Sequence, residues 1–149
     1  MGTAVDGLTP RHTFPRSHRL KEHRLIRALF DRSRTDTGTL AQGTIRLVYR
    51  IVPRADVKVP APLKVGVAPG RGLRRAVDRN RAKRHMREAY RHQQHALRHL
   101  FEARGDTLTL MILYRGGLPL DPPRIQRDTA RAVTRLAERL TASTSDAGT

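Results

Sequence analysis

The segment at residues 71–91 reads RGLRRAVDRNRAKRHMREAYR and carries dense positive charge. It has two acidic residues, Asp78 and Glu88, against nine basic ones. Solvated helix faces usually interleave acidic and basic residues, and like charges one turn apart repel each other. Arginine also grips phosphate oxygens with two parallel hydrogen bonds. The segment therefore predicts contact with a polyanion. Its basic residues are Arg71, Arg74, Arg75, Arg79, Arg81, Lys83, Arg84, Arg87 and Arg91.

The same segment begins a long helix, because apolar residues recur there with a period near 3.6. We predict that the helix starts between Arg75 and Asp78, with Asp78 as the cap or as a first-turn acid, and ends at Gly105. One face would enter the core, and the opposite face would carry arginines. The predicted core face is Ala82, Met86, Ala89, Tyr90, Gln93, Leu97, Leu100 and Phe101. The predicted basic face is Asn80, Arg84, Arg87, Arg91, Gln94 and Arg98.

Composition limits the possible functions. The 149 residues fit one domain, and the formal charge of +17 favours nucleic acid as the partner, with an anionic membrane surface second. No apolar run is long enough to span a membrane and no signal peptide is visible, so we expect a cytoplasmic protein. The chain has no cysteine, which excludes disulfides, thiolate metal sites and a cysteine nucleophile. Aromatic residues make up 4% of the chain, which argues against a broad base-stacking platform.

The rest of the chain predicts a single two-layer α+β domain. The predicted order is helix, two or three strands, basic helix, strand and helix, written α-β-β-β-α-β-α, with three helices packed on a mixed sheet of about four strands. The first helix holds Leu25, Ile26, Leu29 and Phe30, the strands cover 45–52, 63–68 and 107–114, and the last helix starts at Asp121. Residues 35–43 and 53–62 are predicted loops. Residues 1–16 and 141–149 are predicted flexible tails flanking a domain at 17–140.

No protein-borne catalytic or metal site is predicted. The thirteen acidic residues are scattered singly, whereas metal-dependent nucleases gather carboxylates around their cations. His85, His92, His95 and His99 recur on the long helix at spacings that can gather imidazoles for zinc. They lie outside the core face, however, where exposed histidines are common. We favour exposed histidines that at most assist RNA contact.

Residues 63–91, LKVGVAPGRGLRRAVDRNRAKRHMREAYR, resemble the signature region of the protein subunit of bacterial ribonuclease P. In that family a strand leads through a basic turn and Ala-Val into an R-N-R-x-K-R helix, followed by Arg-Glu-Ala and an aromatic residue. The corresponding segments here are Ala76-Val77, residues 79–84 and residues 87–90. The family usually has paired lysines and then Gly-Asn before Ala-Val, where this chain has Arg71-Gly72 and Arg74-Arg75. The resemblance covers about residues 19–140.

The resemblance implies a small basic protein that binds the catalytic RNA of ribonuclease P and precursor tRNA, from which the enzyme removes the 5′ leader. Cleavage in that family depends on Mg²⁺ and belongs to the RNA, so Mg²⁺ would be held mainly by the RNA subunit and the substrate. No catalytic residue and no dedicated metal site are expected on the protein.

The resemblance also implies which residues contact RNA. Arg79, Asn80, Arg81, Lys83 and Arg84 would face the catalytic RNA, with Arg87 as an extension, and the basic residues Arg71, Arg74, Arg75 and Arg91 enlarge that surface. The family holds the single-stranded leader in a cleft between the first helix and the sheet. Ile26, Phe30 and Tyr49 match positions that line this cleft, and Ile26 stands where an aromatic residue is common.

Two other classes use the same features. A structural RNA-binding protein, such as a small ribosomal protein, could carry the basic helix without any role in processing. A DNA-binding module could also place this helix in a groove, since base-reading residues are not distinguishable here from phosphate contacts. The R-N-R-x-K-R helix joined to the preceding strand favours the ribonuclease P subunit, with no DNA or membrane partner expected.

Overall fold

A four-stranded mixed sheet forms the centre of the computed structural model, which describes residues 14–147, with side chains to residue 143. The strands are β1 (Thr37–Gln42), β2 (Ile45–Pro53), β3 (Leu63–Ala68) and β4 (Asp106–Tyr114). They lie in the order β1-β2-β4-β3. β2 is antiparallel to both neighbours, whereas β3 and β4 are parallel. The parallel pair requires a crossover, which the basic helical segment provides.

Four helices pack on this sheet: α1 (His23–Phe30), α2 (Ala76–Gln93), α3 (His95–Arg104) and α4 (Pro122–Ala147). Short 3₁₀ turns occupy Arg16–His18 and Arg54–Asp56. The predicted α+β class and four-stranded mixed sheet are confirmed, with four helices instead of three. None of the helices in the described part of the chain is both long and apolar enough to cross a membrane.

The two faces of the sheet bury separate apolar clusters, because side chains alternate along each strand. Ile45 and Leu47 of β2 join the larger cluster, together with Tyr90, Phe101 and Leu136 from the later helices. The smaller cluster lies on the other face, where α1 packs on the sheet; it contains Leu20, Leu25, Leu29, Val48, Val52, Val57 and Met111. α1 thus has one face of the sheet largely to itself.

The predicted long helix is divided at Gln94, and the division changes which residues are buried. Gln94 keeps near-helical dihedrals, φ −73° and ψ −15°, but α2 ends at Gln93 and α3 begins at His95. Its side-chain amide donates to the Arg91 carbonyl at 3.2 Å. Gln94 is fully buried and Gln93 is exposed. The prediction that Gln93 lies on the core face and Gln94 on the basic face is therefore wrong. The remaining start and end predictions hold, with Asp78 in the first turn and Gly105 left-handed at φ 84° after α3.

The predicted loop at residues 35–43 is wrong, because most of it forms the edge strand β1. Glycine and threonine make this strand weak on its own. It is held by pairing with β2 and by two arginines from α4. Arg135 donates to the Ala41 carbonyl at 3.1 Å, and Arg139 donates to the Thr39 carbonyl at 2.8 Å.

Both ends of the described region differ from the predicted tails. Residues 1–13 and 148–149 lie outside the described residues. Phe14 and the turn after it are part of the fold, because the Phe14 ring lies 5.3 Å from the Tyr90 ring, centroid to centroid. α4 starts as predicted after Asp121, whose Oδ1 accepts a hydrogen bond from the Arg124 amide at 3.3 Å. It continues past Leu140, the last residue of its apolar pattern, to Ala147, so the helix is longer than that pattern predicted.

Candidate nucleic-acid interface

The predicted basic surface lies on the outer side of α2 and on the loop that leads into it. Met86, Ala89 and Tyr90 hold α2 against the core, so residues on the opposite side face solvent. Of the ten predicted contact residues, seven are exposed: Arg71, Arg74, Arg75, Asn80, Arg81, Arg84 and Arg87. Arg79, Lys83 and Arg91 are half-buried. The fold therefore exposes seven of the ten predicted residues along α2 and the loop before it.

Ion pairing divides this surface into occupied and available cations. Arg91 donates to Glu88 at 2.6 Å, and His92 lies 3.2 Å from the same carboxylate oxygen. These contacts, Arg91 first, lower the pKa of Glu88. No carboxylate among the described residues pairs with Arg84 or Arg87. The two exposed guanidiniums are thus available to an anionic partner.

His85 lies on α2 between the basic surface and α4. Burial lowers the pKa of His85, and the positive charges of Arg84 and Arg81 lower it further. Its Nδ1 lies 3.1 Å from Nε2 of Gln126, which connects α2 to α4. His85 therefore lies in the contact between α2 and α4, and the formal positive charge of the surface comes from its arginines and Lys83.

The structure brings only two of the three predicted cleft residues together. Ile26 packs against the smaller apolar cluster, and Phe30, at the end of α1, is 48% exposed. Tyr49 lies on the opposite face of the sheet, because its neighbour Val48 occupies the α1 side. The hydroxyl of Tyr49 accepts a hydrogen bond from Arg139 at 3.2 Å. Grouping Tyr49 with Ile26 and Phe30 is therefore wrong.

Gly38 explains how the Tyr49 ring fits on the far face of the sheet. The two residues are partners across β1 and β2, and a Cβ on Gly38 would stand 2.3 Å from the tyrosine ring. The ring thus occupies space that only glycine leaves open. Because residues 35–43 were predicted as a loop, the contact between Gly38 and Tyr49 could not be foreseen. The placement of Tyr49 in the cleft came from the family resemblance alone.

Two sets of exposed cations on other elements lie outside the predicted contact residues. Arg46 is exposed on the α1 side of the sheet, in register with Leu113 of β4. Arg127 and Arg131 are exposed one turn apart on α4. Strand alternation predicts Arg46 on the partly basic outer face of β2, and the i,i+4 spacing places Arg127 and Arg131 on one face of α4.

Carboxylates in the structure are dispersed and mostly engaged. Asp36 accepts from Arg34 at 2.9 Å and from Arg50 at 2.8 Å, and these contacts hold its pKa well below the usual range. Asp128 is buried and accepts from both the amide and the hydroxyl of Thr44, at 2.9 and 2.8 Å. Within residues 14–147, no three His, Asp or Glu side chains gather as a metal would require.

Comparisons with known proteins agree with this architecture. A family model described as Ribonuclease P matches residues 14–137. The solved structure of the Staphylococcus aureus RNase P protein is similar with a TM-score of 0.55, covering 80% of this chain and 94% of that chain at 12% identity. At that identity the likeness shows the fold alone. No curated protein sequence matches. Because the family model covers residues 14–137, which is most of the chain, the chain belongs to the ribonuclease P protein family.

Proposed function

We propose that this chain is the non-catalytic protein subunit of ribonuclease P, which binds the catalytic RNA through α2 and the 5′ leader of precursor tRNA beside α1. The observation that supports it most strongly is the exposed arginine surface of α2, where Arg84 and Arg87 have no carboxylate partner among the described residues. Membership of the ribonuclease P family supports the catalytic RNA as the partner of that surface.

The α2 surface acts by neutralising phosphates. An RNA helix concentrates negative charge and counterions along its backbone, and arginines that replace those counterions release them into solution. Binding is then favourable at low salt and weakens steeply as salt rises. The half-buried Arg79 donates to the Arg74 carbonyl, which ties the preceding loop to the first turn of α2. Loop and helix would therefore meet the RNA as one surface.

The α1 side of the sheet would receive the single-stranded leader. Phe30 offers an exposed aromatic ring on which a base can stack, and Ile26 supplies apolar contact. The exposed Arg46 on the same face of the sheet can pair with a leader phosphate. The leader would gain affinity from these contacts without any base-specific hydrogen bond.

Mg²⁺ would be held by the catalytic RNA and the substrate. Among the described residues no three His, Asp or Glu side chains gather, and the carboxylates of Glu88, Asp36 and Asp128 already accept hydrogen bonds from arginine or backbone groups, which supports this assignment. We therefore assign no step of the chemistry to a metal on the protein. Its contribution is to hold substrate and catalytic RNA together.

The experiment mixes the full chain with a bacterial ribonuclease P RNA and precursor tRNA, at a Mg²⁺ concentration at which the RNA alone is nearly inactive. Cleavage at the mature 5′ end should require the protein, and leaderless tRNA should bind more weakly than the precursor. Arg84→Gln/Arg87→Gln should reduce cleavage through weaker assembly. Arg127→Gln/Arg131→Gln removes the same charge from α4 and serves as the matched control.

Two results would refute the proposal. If the chain bound the RNA but left cleavage unchanged, it would be a structural RNA-binding protein. If the α2 and α4 variants lost activity equally, net charge would explain the effect and α2 would have no special role.

A further inference from the structure

A cavity of about 340 Å³ lies where the chain enters α1, between that entry and the loop before β3. Its volume falls within the range of ligand pockets, roughly 300 to 1,000 Å³. Neither the α2 surface nor Ile26 and Phe30 contribute to its walls. Five cationic side chains line it: Arg16, Arg19, Lys21, Lys58 and Lys64. The proposed contacts with the catalytic RNA leave this cavity unexplained.

Lys64 makes the cavity more than a group of surface charges. It lies on β3 and is 5% exposed, which is rare for lysine because burial of an ammonium is costly. Burial lowers its pKa. The ammonium has three N–H donors, one of which reaches the Ser17 carbonyl. Ser17 also lines the cavity, so this bond anchors a buried cation at its wall.

A single acidic residue, Glu22, lines the cavity, and its carboxylate is already engaged. Oε1 accepts from the Lys58 amide at 2.8 Å, and Oε2 accepts from Arg24 at 3.1 Å. The Lys58 bond is the main cause of its lowered pKa. Glu22 thus fixes the loop at Lys58 against α1, while the cations outnumber it five to one. The balance favours an anionic ligand.

The apolar part of the wall restricts which anion fits. Leu20, Leu25 and Val59 line the cavity; Val59, at 56% exposed, offers most of the apolar surface, because Leu20 and Leu25 are only 8% and 1% exposed. A small inorganic anion would leave this apolar surface uncovered. A nucleotide has both chemistries, because its phosphate can pair with the cations while its ribose and base cover the apolar side chains.

We propose that this cavity binds one nucleotide of single-stranded RNA, with its phosphate among the cations and its base or ribose against Leu20, Leu25 and Val59. The inference rests on the proposed function and extends it to a second contact at the opposite end of α1 from Phe30. The eight residues of α1 separate the two ends by roughly 10 Å. One RNA strand can therefore contact both.

The test compares two double charge reversals of the full chain. Lys21→Glu/Lys58→Glu alters exposed side chains that line the cavity, and Arg127→Glu/Arg131→Glu makes the same change in net charge on α4. Binding of a fluorescent oligouridylate is measured at several salt concentrations. Loss of the one single-strand phosphate contact should flatten the salt slope by about 0.7 and, extrapolated from a common affinity at about 1 M salt, weaken binding about 5-fold at about 0.1 M. The control should change affinity less than about 3-fold, because distant charges are screened.

A photo-crosslinking oligouridylate that carries 4-thiouridine locates the contact directly. Crosslinks to wild-type peptides spanning 16–25 and 57–64 should disappear in the cavity variant and remain in the control. Equal affinities of the two variants, together with no crosslink in those peptides, would overturn the proposal.

A leader-length series separates this result from failure of the proposed function. If lengthening the leader tightens wild-type binding but not binding of the cavity variant, the nucleotide comes from the leader. If a longer leader tightens binding of the wild-type protein and the cavity variant equally, while the variant still binds the oligouridylate more weakly, the nucleotide comes from a single-stranded part of the catalytic RNA. Failure of the proposed function would instead appear as wild-type protein that does not stimulate cleavage.

Discussion

Replacement of Arg84 and Arg87 by glutamine should weaken binding to the catalytic RNA in a salt-dependent manner. Both guanidiniums are exposed and lack a carboxylate partner within the described part of the chain, so each can neutralise one phosphate. With about 0.9 counterions released per phosphate contact, the double variant should flatten the slope of log K against log salt by about 1.8.

The slope fixes the expected loss of affinity. If the wild-type protein and the variant have the same affinity at about 1 M salt, the change in slope gives about 60-fold weaker binding of the variant at about 0.1 M and about 5-fold weaker binding at about 0.4 M. The loss at the lower salt corresponds to about 2.5 kcal/mol. Arg91→Gln should cost less, because Arg91 already pairs with Glu88 at 2.6 Å.

The assay is a filter-binding or fluorescence titration of labelled ribonuclease P RNA over that salt range. Arg127→Gln/Arg131→Gln is measured beside it, since it removes the same charge from another helix. An unchanged slope in the Arg84/Arg87 variant would refute the assignment of α2 as the RNA surface. Equal slopes in both variants would show that net charge, and not location, governs binding.

Four further predictions concern stability and the leader. Asp128→Ala should lower the free energy of unfolding by about 3 kcal/mol in urea titrations, because Thr44 loses two bonds to a buried carboxylate, and Asp128→Asn should lower it less. Burial, then nearby positive charge, lowers the pKa of His18 from 6.5 to about 4, so the unfolded chain binds the proton more tightly. His18 therefore contributes stability above pH 6.5 that is lost as pH falls towards 4, by about 3 kcal/mol in all, and His18→Leu should flatten that part of the pH profile. Phe30→Ala should remove about 1 to 3 kcal/mol of leader-dependent binding, whereas Tyr49→Phe should leave it unchanged because Tyr49 lies on the other face. Sulfate should raise the melting temperature more than chloride at equal ionic strength, because it binds the folded cationic surface of a chain with net charge +17; equal melting curves would contradict this.

Local patterns were sufficient to predict most of the fold. Alternation predicted β2, apolar periodicity predicted the buried residues Met86 and Tyr90, and Asp121 marked the start of α4. Each of these features is encoded by neighbours in sequence. The basic surface was equally predictable, because exposure follows directly once the opposite face of a helix is buried.

Features that depend on distant partners could not be predicted. β1 has few strand-favouring residues and forms because β2 and α4 are beside it. Gln94 divides the long helix without glycine or proline, so no local signal marks the break. Tyr49 was placed in the cleft by the resemblance, whereas only the fold decides that α1 covers the face of Val48 and not the face of Tyr49. The cavity cations come from three separate segments, and only the fold brings them together.

The hydrogen bonds from Arg135 and Arg139 to β1 also bear on solubility. An edge strand exposes carbonyls that another chain can use to extend the sheet, which is a common route to aggregation. Here the two guanidiniums occupy the carbonyls of Ala41 and Thr39, and they add positive charge at the edge. At the opposite edge, Leu20 donates its amide to the Val65 carbonyl of β3. Contacts within the chain thus occupy backbone groups at both edges, which leaves fewer of them available to pair with another chain.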